Sequence, residues 1–156
     1  MENWLTHWQK LKEKYPRGVL YVSSALLPMT IMLVVWYFMG SYPFGNKSLM
    51  AVDFGQQYIS FFGLLKNAIL SGDLSSLTYS FTKSLGGDMI GILGYYLMSP
   101  FNIIYIVLPF KYYGLAVVLT IWLRYGAIGI SFAHLLIKRF KGAESKIWMV
   151  PLFATA

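Results

Sequence analysis

The stretch VLYVSSALLPMTIMLVVWYFMG, Val19 to Gly40, runs for 22 residues without a charged side chain. As an α-helix at about 1.5 Å per residue it is roughly 33 Å long, enough for a hydrocarbon core of about 30 Å. Pro28 marks a place for a kink, which packed neighbouring helices tolerate. A cleavable signal sequence has a shorter apolar region, about 7–15 residues, followed by a small-x-small site. Here the run is longer and ends Tyr37-Phe38-Met39-Gly40, so it reads as an uncleaved transmembrane helix over 19–40.

The composition agrees with that reading. Of the 156 residues 57% are hydrophobic and only 12% charged, against about 25% charged in an average soluble domain. A disordered chain needs the opposite balance. Cysteine is absent, which excludes disulfides, thiolate catalysis and Cys-ligated metal. His7 and His134 are too few for a His-rich metal site.

The net charge of +7 is placed rather than spread. Lys10, Lys12, Lys14 and Arg17 precede the first span, in a basic amphipathic segment over 1–18 with Trp4 and Trp8. Lys138, Arg139, Lys141 and Lys146 follow the second, Tyr112 to Ile137, whose one charge is Arg124. Basic clusters flanking apolar spans mark the cytoplasmic side, and they argue against a nucleic-acid surface. The expected topology is a cytoplasmic N-terminus, an extracytoplasmic loop over 41–111 and a cytoplasmic loop over 138–146. Residues 147–156 read as the start of a third span, since ten residues cannot cross a bilayer as a helix. Between the spans, Met89–Met98 and Phe101–Phe110 are apolar, with Ser99-Pro100 between them. Two short interfacial or re-entrant helices over 89–110 keep the charge rule; one full span would place Lys138 to Lys146 outside.

The expected outer loop holds Asp53, Asp73 and Asp88. Phe54, Tyr58, Phe61, Phe62, Leu65, Ile69 and Leu70 share one helical face, while Gln56, Gln57, Ser60, Lys66 and Asn67 take much of the rest. The spacing predicts an amphipathic helix over 54–70, stopping at Ser71-Gly72. Asp53 sits at its start, and Gln56 three residues later completes a capping-box pattern. Capping and chemistry are compatible, because one carboxylate oxygen is enough for a cap. Asp73 reads as a turn or second cap, and Asp88 as part of the Gly86-Gly87-Asp88 turn. Ser80 to Gly87 lacks the order of a nucleotide P-loop, although Lys83 and backbone N–H groups there suit an anion. Arg124 costs about 2.5–3.5 kcal/mol in mid-membrane. It calls for a carboxylate, a lipid phosphate or a structural ion pair. Gly126 and Gly129 allow a partner helix close approach, and His134 reads as packed or interfacial.

The loop motifs carry a resemblance. Tyr42-Pro43-Phe44-Gly45-Asn46-Lys47-Ser48-Leu49, then Asp53-Phe54-Gly55-Gln56-Gln57-Tyr58, look like the opening signature of the bacterial YfhO family. Tyr79-Ser80-Phe81, Ser84-Leu85-Gly86-Gly87-Asp88 and Tyr95-Tyr96-Leu97-Met98-Ser99-Pro100-Phe101-Asn102 are similar to its next three motifs. The span–loop–span order resembles the GT-C class of polytopic glycosyltransferases. The resemblance implies an all-α integral membrane fold: two complete transmembrane helices, the start of a third, and a long outer loop of juxtamembrane helices. It implies an enzyme, longer than this chain, that moves a sugar from a polyprenyl-phosphate carrier to an extracytoplasmic teichoic or lipoteichoic acid. Asp53 takes the place of the family's early loop aspartate, as general base. Asp88, Lys83, Arg124, Gln56, Gln57 and Tyr58 are the expected contacts to substrate or lipid phosphate. No cofactor is implied beyond the lipid-linked sugar donor. The expected partners are the bilayer, that donor, the envelope polymer and the remaining C-terminal part of the same protein. Two other classes remain: a non-catalytic membrane anchor or assembly subunit whose outer loop binds a partner, and a transporter. Polarity gathered in a loop, not at mid-membrane, argues against the transporter.

Overall fold

The computed structural model describes residues 16–81, 86–140 and 151–152. The expectations for the basic N-terminal segment, Lys83, the 141–146 part of the loop and nearly all of 147–156 lie outside the described residues. Among the described residues two helices are long and apolar enough to cross a membrane, as an all-α integral membrane protein requires. They are α1 (Pro16–Met39) and the last helix, Tyr113–Arg139, entered through a 3₁₀ turn at Phe110–Tyr112. The chain divides into two compact units, Met1–Phe38 with Trp122–Ala156, and Met39–Ile121.

In the first unit α1 packs on Trp122–Arg139 through small residues. A Cβ on Gly129 would collide with the Ser24 carbonyl, and one on Gly126 would lie 2.6 Å from Met29 Sδ. Pro28 explains part of this. It has no N–H to offer the Ser24 carbonyl one turn back, and Gly129 comes up against that oxygen instead. Leu20 and Ala133 are fully buried at the contact. Trp122 Nε1 donates to the Met29 carbonyl at 3.1 Å, and the Tyr21 hydroxyl meets His134 Nδ1 at 2.8 Å. His134 is thus an exposed residue of the helix pair, its ring against Tyr21. Val22, Leu26, Ile31 and Ile128 face outward, as side chains in contact with lipid do.

The second unit is ordered around side chains. It opens with a tight turn, where Lys47 N donates to Gly40 O at 3.1 Å and Tyr42 N to Lys47 O at 2.8 Å. Gly45 is required there, because a Cβ would strike the Gly40 carbonyl. A π turn at Phe54–Tyr58 leads into α2 (Ile59–Ser71), which Gly72 ends in the left-handed conformation at φ 74°. A 3₁₀ turn at Ser75–Leu77 follows. Then β1 (Tyr79–Ser80) pairs antiparallel with β2 (Gly87–Asp88), Tyr79 opposite Asp88. Next come α3 (Ile90–Ile92), a second π turn at Leu93–Leu97, a 3₁₀ turn at Pro100–Asn102 and α4 (Ile103–Val107). Helix Tyr113–Arg139 becomes α5 in this order. Ile90–Leu97 and Pro100–Val107 meet at 88°. Pro100 biases Ser99 away from helical angles, and Ser99 is extended at ψ 131°.

Phe62 stacks on Tyr105, ring centroids 4.0 Å apart, at the centre of a core that includes Leu65, Ala68, Leu77, Leu97, Ala116 and Val117. The expected amphipathic stripe is only partly realised. Ile69 and Leu70 are exposed, while Lys66, expected on the polar face, is buried. Its Nζ donates to the Leu108 carbonyl at 2.5 Å and lies 5.2 Å from the Phe110 ring centroid. A cation there satisfies a carbonyl left over where α4 ends.

Candidate functional site

Asp53 does not cap the helix it precedes. Its own backbone is helical, at φ −59° and ψ −31°, and its carboxylate makes no capping hydrogen bond. The turn instead starts one residue earlier, with Gln56 N donating to Val52 O at 3.1 Å. Val52 reaches this geometry at φ 50°. Left-handed backbone costs a β-branched residue about 1–2 kcal/mol, and strain of this kind clusters at functional sites. Gly55 completes the turn: a Cβ would come 2.6 Å from the Met50 carbonyl. Asp53, Gln56 and Gln57 are all exposed and Tyr58 half-buried. The carboxylate therefore faces outward.

The π turn decides what stands beside Asp53. At α-helical pitch Tyr58 would lie about 140° around the axis from Asp53. The wider turn, closed by Ile59 N on Phe54 O, brings it back towards the same side. The Tyr58 hydroxyl donates to the Tyr96 oxygen at 3.3 Å, and the two rings lie 4.5 Å apart. Tyr96 belongs to the second π turn, closed by Met98 N on Leu93 O at 3.0 Å. Two π turns from separate stretches of chain thus meet through a tyrosine pair. The Tyr96 phenol is pushed above its ordinary value, first by its hydrogen bond with Tyr58, then by burial and the charges of Tyr58 and Asp53. Asp53 is thus within electrostatic reach of the pair. Tyr95, 81% exposed, stands edge-on to Tyr96 at 4.5 Å.

Asn102 holds the second π turn in place. It is 1% exposed, and its Nδ2 donates to the carbonyls of Tyr96 at 2.8 Å and Leu97 at 3.0 Å. One amide thereby satisfies two carbonyls that the 88° bend strips of helical partners.

The other expected site residues fall elsewhere. Asp88 is exposed in β2 and accepts the Ile90 backbone N–H at 3.0 Å, which starts α3. Asp73 accepts from the Ser75 backbone at 3.0 Å and from its hydroxyl at 2.6 Å, which holds its carboxyl below the usual range. Arg124 is half-buried on α5. Among the described residues no group of three or more His, Cys, Asp or Glu is placed to hold a metal ion. Sequence reasoning missed Tyr95, Tyr96 and Asn102 as parts of the site, although all three stand in one of the quoted motifs. Their signal was the Tyr-Tyr pair and a polar amide closing an apolar run.

Neither the curated proteins nor the solved structures supplied a match. A family profile described as bacterial membrane protein YfhO matches residues 23–156, which takes in most of the first long helix, the whole of the last, the strained turn at Asp53 and the Tyr96–Asn102 motif. The match covers most of the 156 residues, and the chain belongs to the YfhO family of bacterial membrane proteins.

Proposed function

We propose that this chain carries the Asp53-bearing part of a polytopic GT-C glycosyltransferase, which moves a sugar from a polyprenyl-phosphate carrier to a teichoic or lipoteichoic acid outside the cell. In this reading the N-terminus is cytoplasmic and residues 41–111 are extracytoplasmic. The observation that supports it is Asp53: exposed, uncommitted to a helix cap, and set on a strained turn beside the Tyr58–Tyr96 pair. A carboxylate so placed takes the proton of an acceptor hydroxyl while that oxygen bonds to the anomeric carbon. The bond from that carbon to the carrier phosphate breaks, and the phosphate leaves as an anion that needs little acid assistance. Gln56 and Gln57 supply neutral donors and acceptors for sugar hydroxyls on the same exposed turn. Asp88 starts a helix, and in this reading Lys83 and Arg124 serve the carrier's phosphate.

Asp53→Asn in the complete protein is the direct test. Envelope glycosylation should fall about 10²–10⁴-fold, the usual worth of a general base, with unchanged protein level in the membrane. Undiminished glycosylation would remove Asp53 from the mechanism and favour a non-catalytic anchor whose outer loop binds a partner.

A further inference from the structure

The tight turn that opens the second unit encloses one wall of a cavity of about 260 Å³. Tyr42, Asn46, Ser48 and Met50 line it from the turn, and Gly114 and Val118 from the first turns of α5. Its shape is set in advance by backbone bonds: Phe44 and Gly45 both donate to Ser41 O, at 2.9 and 3.1 Å, and Lys47 donates to Gly40 O. Gly114 forms an open part of the wall, since a Cβ there would meet nothing nearer than Met50 Cε at 3.9 Å.

The lining is mostly apolar, with neutral polar groups at Tyr42, Asn46 and Ser48. Met50, Val118 and Leu49 give the apolar side; among the described residues no Lys, Arg, Asp or Glu lines it. The Tyr42 phenol and the Asn46 amide make no hydrogen bond among the described residues. Ser48 Oγ accepts the Met50 N–H at 3.0 Å and keeps its own proton to donate. Together these groups offer donors and acceptors in both senses. Among the described residues the lining offers an anion no cation, and a hydrocarbon chain would leave the exposed phenol and amide unused. A hydroxylated ring or short polyol fits both kinds of surface, with its C–H face on Met50 and Val118 and its hydroxyls on Tyr42, Asn46 and Ser48.

We infer that this cavity is a binding site for an uncharged hydroxylated group, a hexose or a glycerol unit. Met50 links it to the strained turn, because its side chain lines the cavity while its carbonyl packs under Gly55, two residues from Asp53. Binding here does not require Asp53 to act as a base, so the cavity and the transfer reaction fail separately.

The test uses the full-length protein in lipid nanodiscs, with methyl β-glucopyranoside and glycerol as probes read by saturation-transfer NMR. Gly114→Ala adds one methyl at the wall and should keep affinity within about twofold. Gly114→Leu fills the cavity and should weaken binding at least tenfold. Tyr42→Phe and Asn46→Ala each remove free polar groups and should weaken it several-fold, which keeps the test decisive if the leucine variant does not fold. The probe that binds more tightly identifies the hexose or the glycerol source. Asp53→Asn should bind the probes as the parent does. Binding of neither probe overturns the inference. So does binding indifferent to Gly114→Leu, Tyr42→Phe and Asn46→Ala, or displacement of the probes by an alkyl chain alone. If Asp53→Asn keeps full transfer activity while Gly114→Leu loses the probes, the cavity stands and the role of Asp53 falls.

Discussion

The helix pair formed by α1 and Trp122–Arg139 and the unit Met39–Ile121 solve the packing problem in opposite ways. In the first, contact runs through Gly126, Gly129 and Ala133, and large apolar side chains point outward. In the second, aromatic and branched side chains build a core around Phe62 and Tyr105, although Phe81, Tyr95 and Val107 stay exposed. The difference follows from the solvent. Lipid tails are as apolar as leucine, so burying leucine between helices in a bilayer gains little, and close backbone approach supplies the attraction instead. A unit that faces water, as 41–111 does in the proposed topology, gains from every apolar group it removes. The second unit also carries the irregular backbone of the chain, two π turns, an 88° bend and Val52 at φ 50°. Such backbone is tolerated only where side chains or water satisfy its polar groups.

Four changes test this contrast. Gly129→Leu drives a side chain against the Ser24 carbonyl. It should cost about 3 kcal/mol, the upper end of overpacking, and separate the helix pair. Disulfide trapping between cysteines introduced on α1 and α5 reads this out, in a chain with no cysteine of its own. Undiminished trapping would show that the pair is not held by backbone approach. Asn102→Ala attacks the other unit. It strands the Tyr96 and Leu97 carbonyls and should cost about 1–3 kcal/mol, with faster amide exchange over 93–107 and no change in the α1–α5 trapping. Loss of both signals together would mean that the two units do not differ in the way described.

Val52→Gly is a smaller effect of opposite sign. It should stabilise by about 1 kcal/mol, by relieving the left-handed strain at an exposed position. On the proposed mechanism it should also lower glycosylation by the full-length protein, because Asp53 loses a fixed bearing. A gain in stability with unchanged activity would make the strain incidental.

The smallest effect is a pH dependence at Asp73. Its carboxyl is held low by the Ser75 hydroxyl and then by the Ser75 N–H. The stability this contributes is therefore present above the unfolded carboxylate value, about 3.9, and is lost as pH falls through the lower folded value. Asp73→Asn should flatten that part of the acid unfolding curve and leave the curve near pH 7 almost unchanged. A parent curve without that dependence would remove Asp73 from the acid response.

The two long helices were legible because solvation over twenty or more residues is a sum that one exception does not upset. Val19–Gly40 and Tyr112–Ile137 differ from α1 and α5 by a few residues at each end. Gly72 was legible as a stop for a local reason, since glycine reaches a positive φ without cost. The cap at Asp53 was misread, because the capping box assumes an α-helical first turn. The backbone at Val52 and the π turn at 54–58 shift that register, and no spacing rule sees a shift made by tertiary contact.

What the sequence alone determined is the solvent of each segment: two apolar spans, basic flanks, and a loop that gathers three of the six acidic residues. Tertiary structure decided which residues meet. Tyr58 and Tyr96 are 38 positions apart and Lys66 and Leu108 are 42, and Met50 and Gly114 share a cavity across a still longer stretch. Composition and periodicity record how a segment is solvated. Which polar groups pair across the fold depends on backbone geometry, and here that geometry departs from the regular α-helix at the two turns where the candidate site is built.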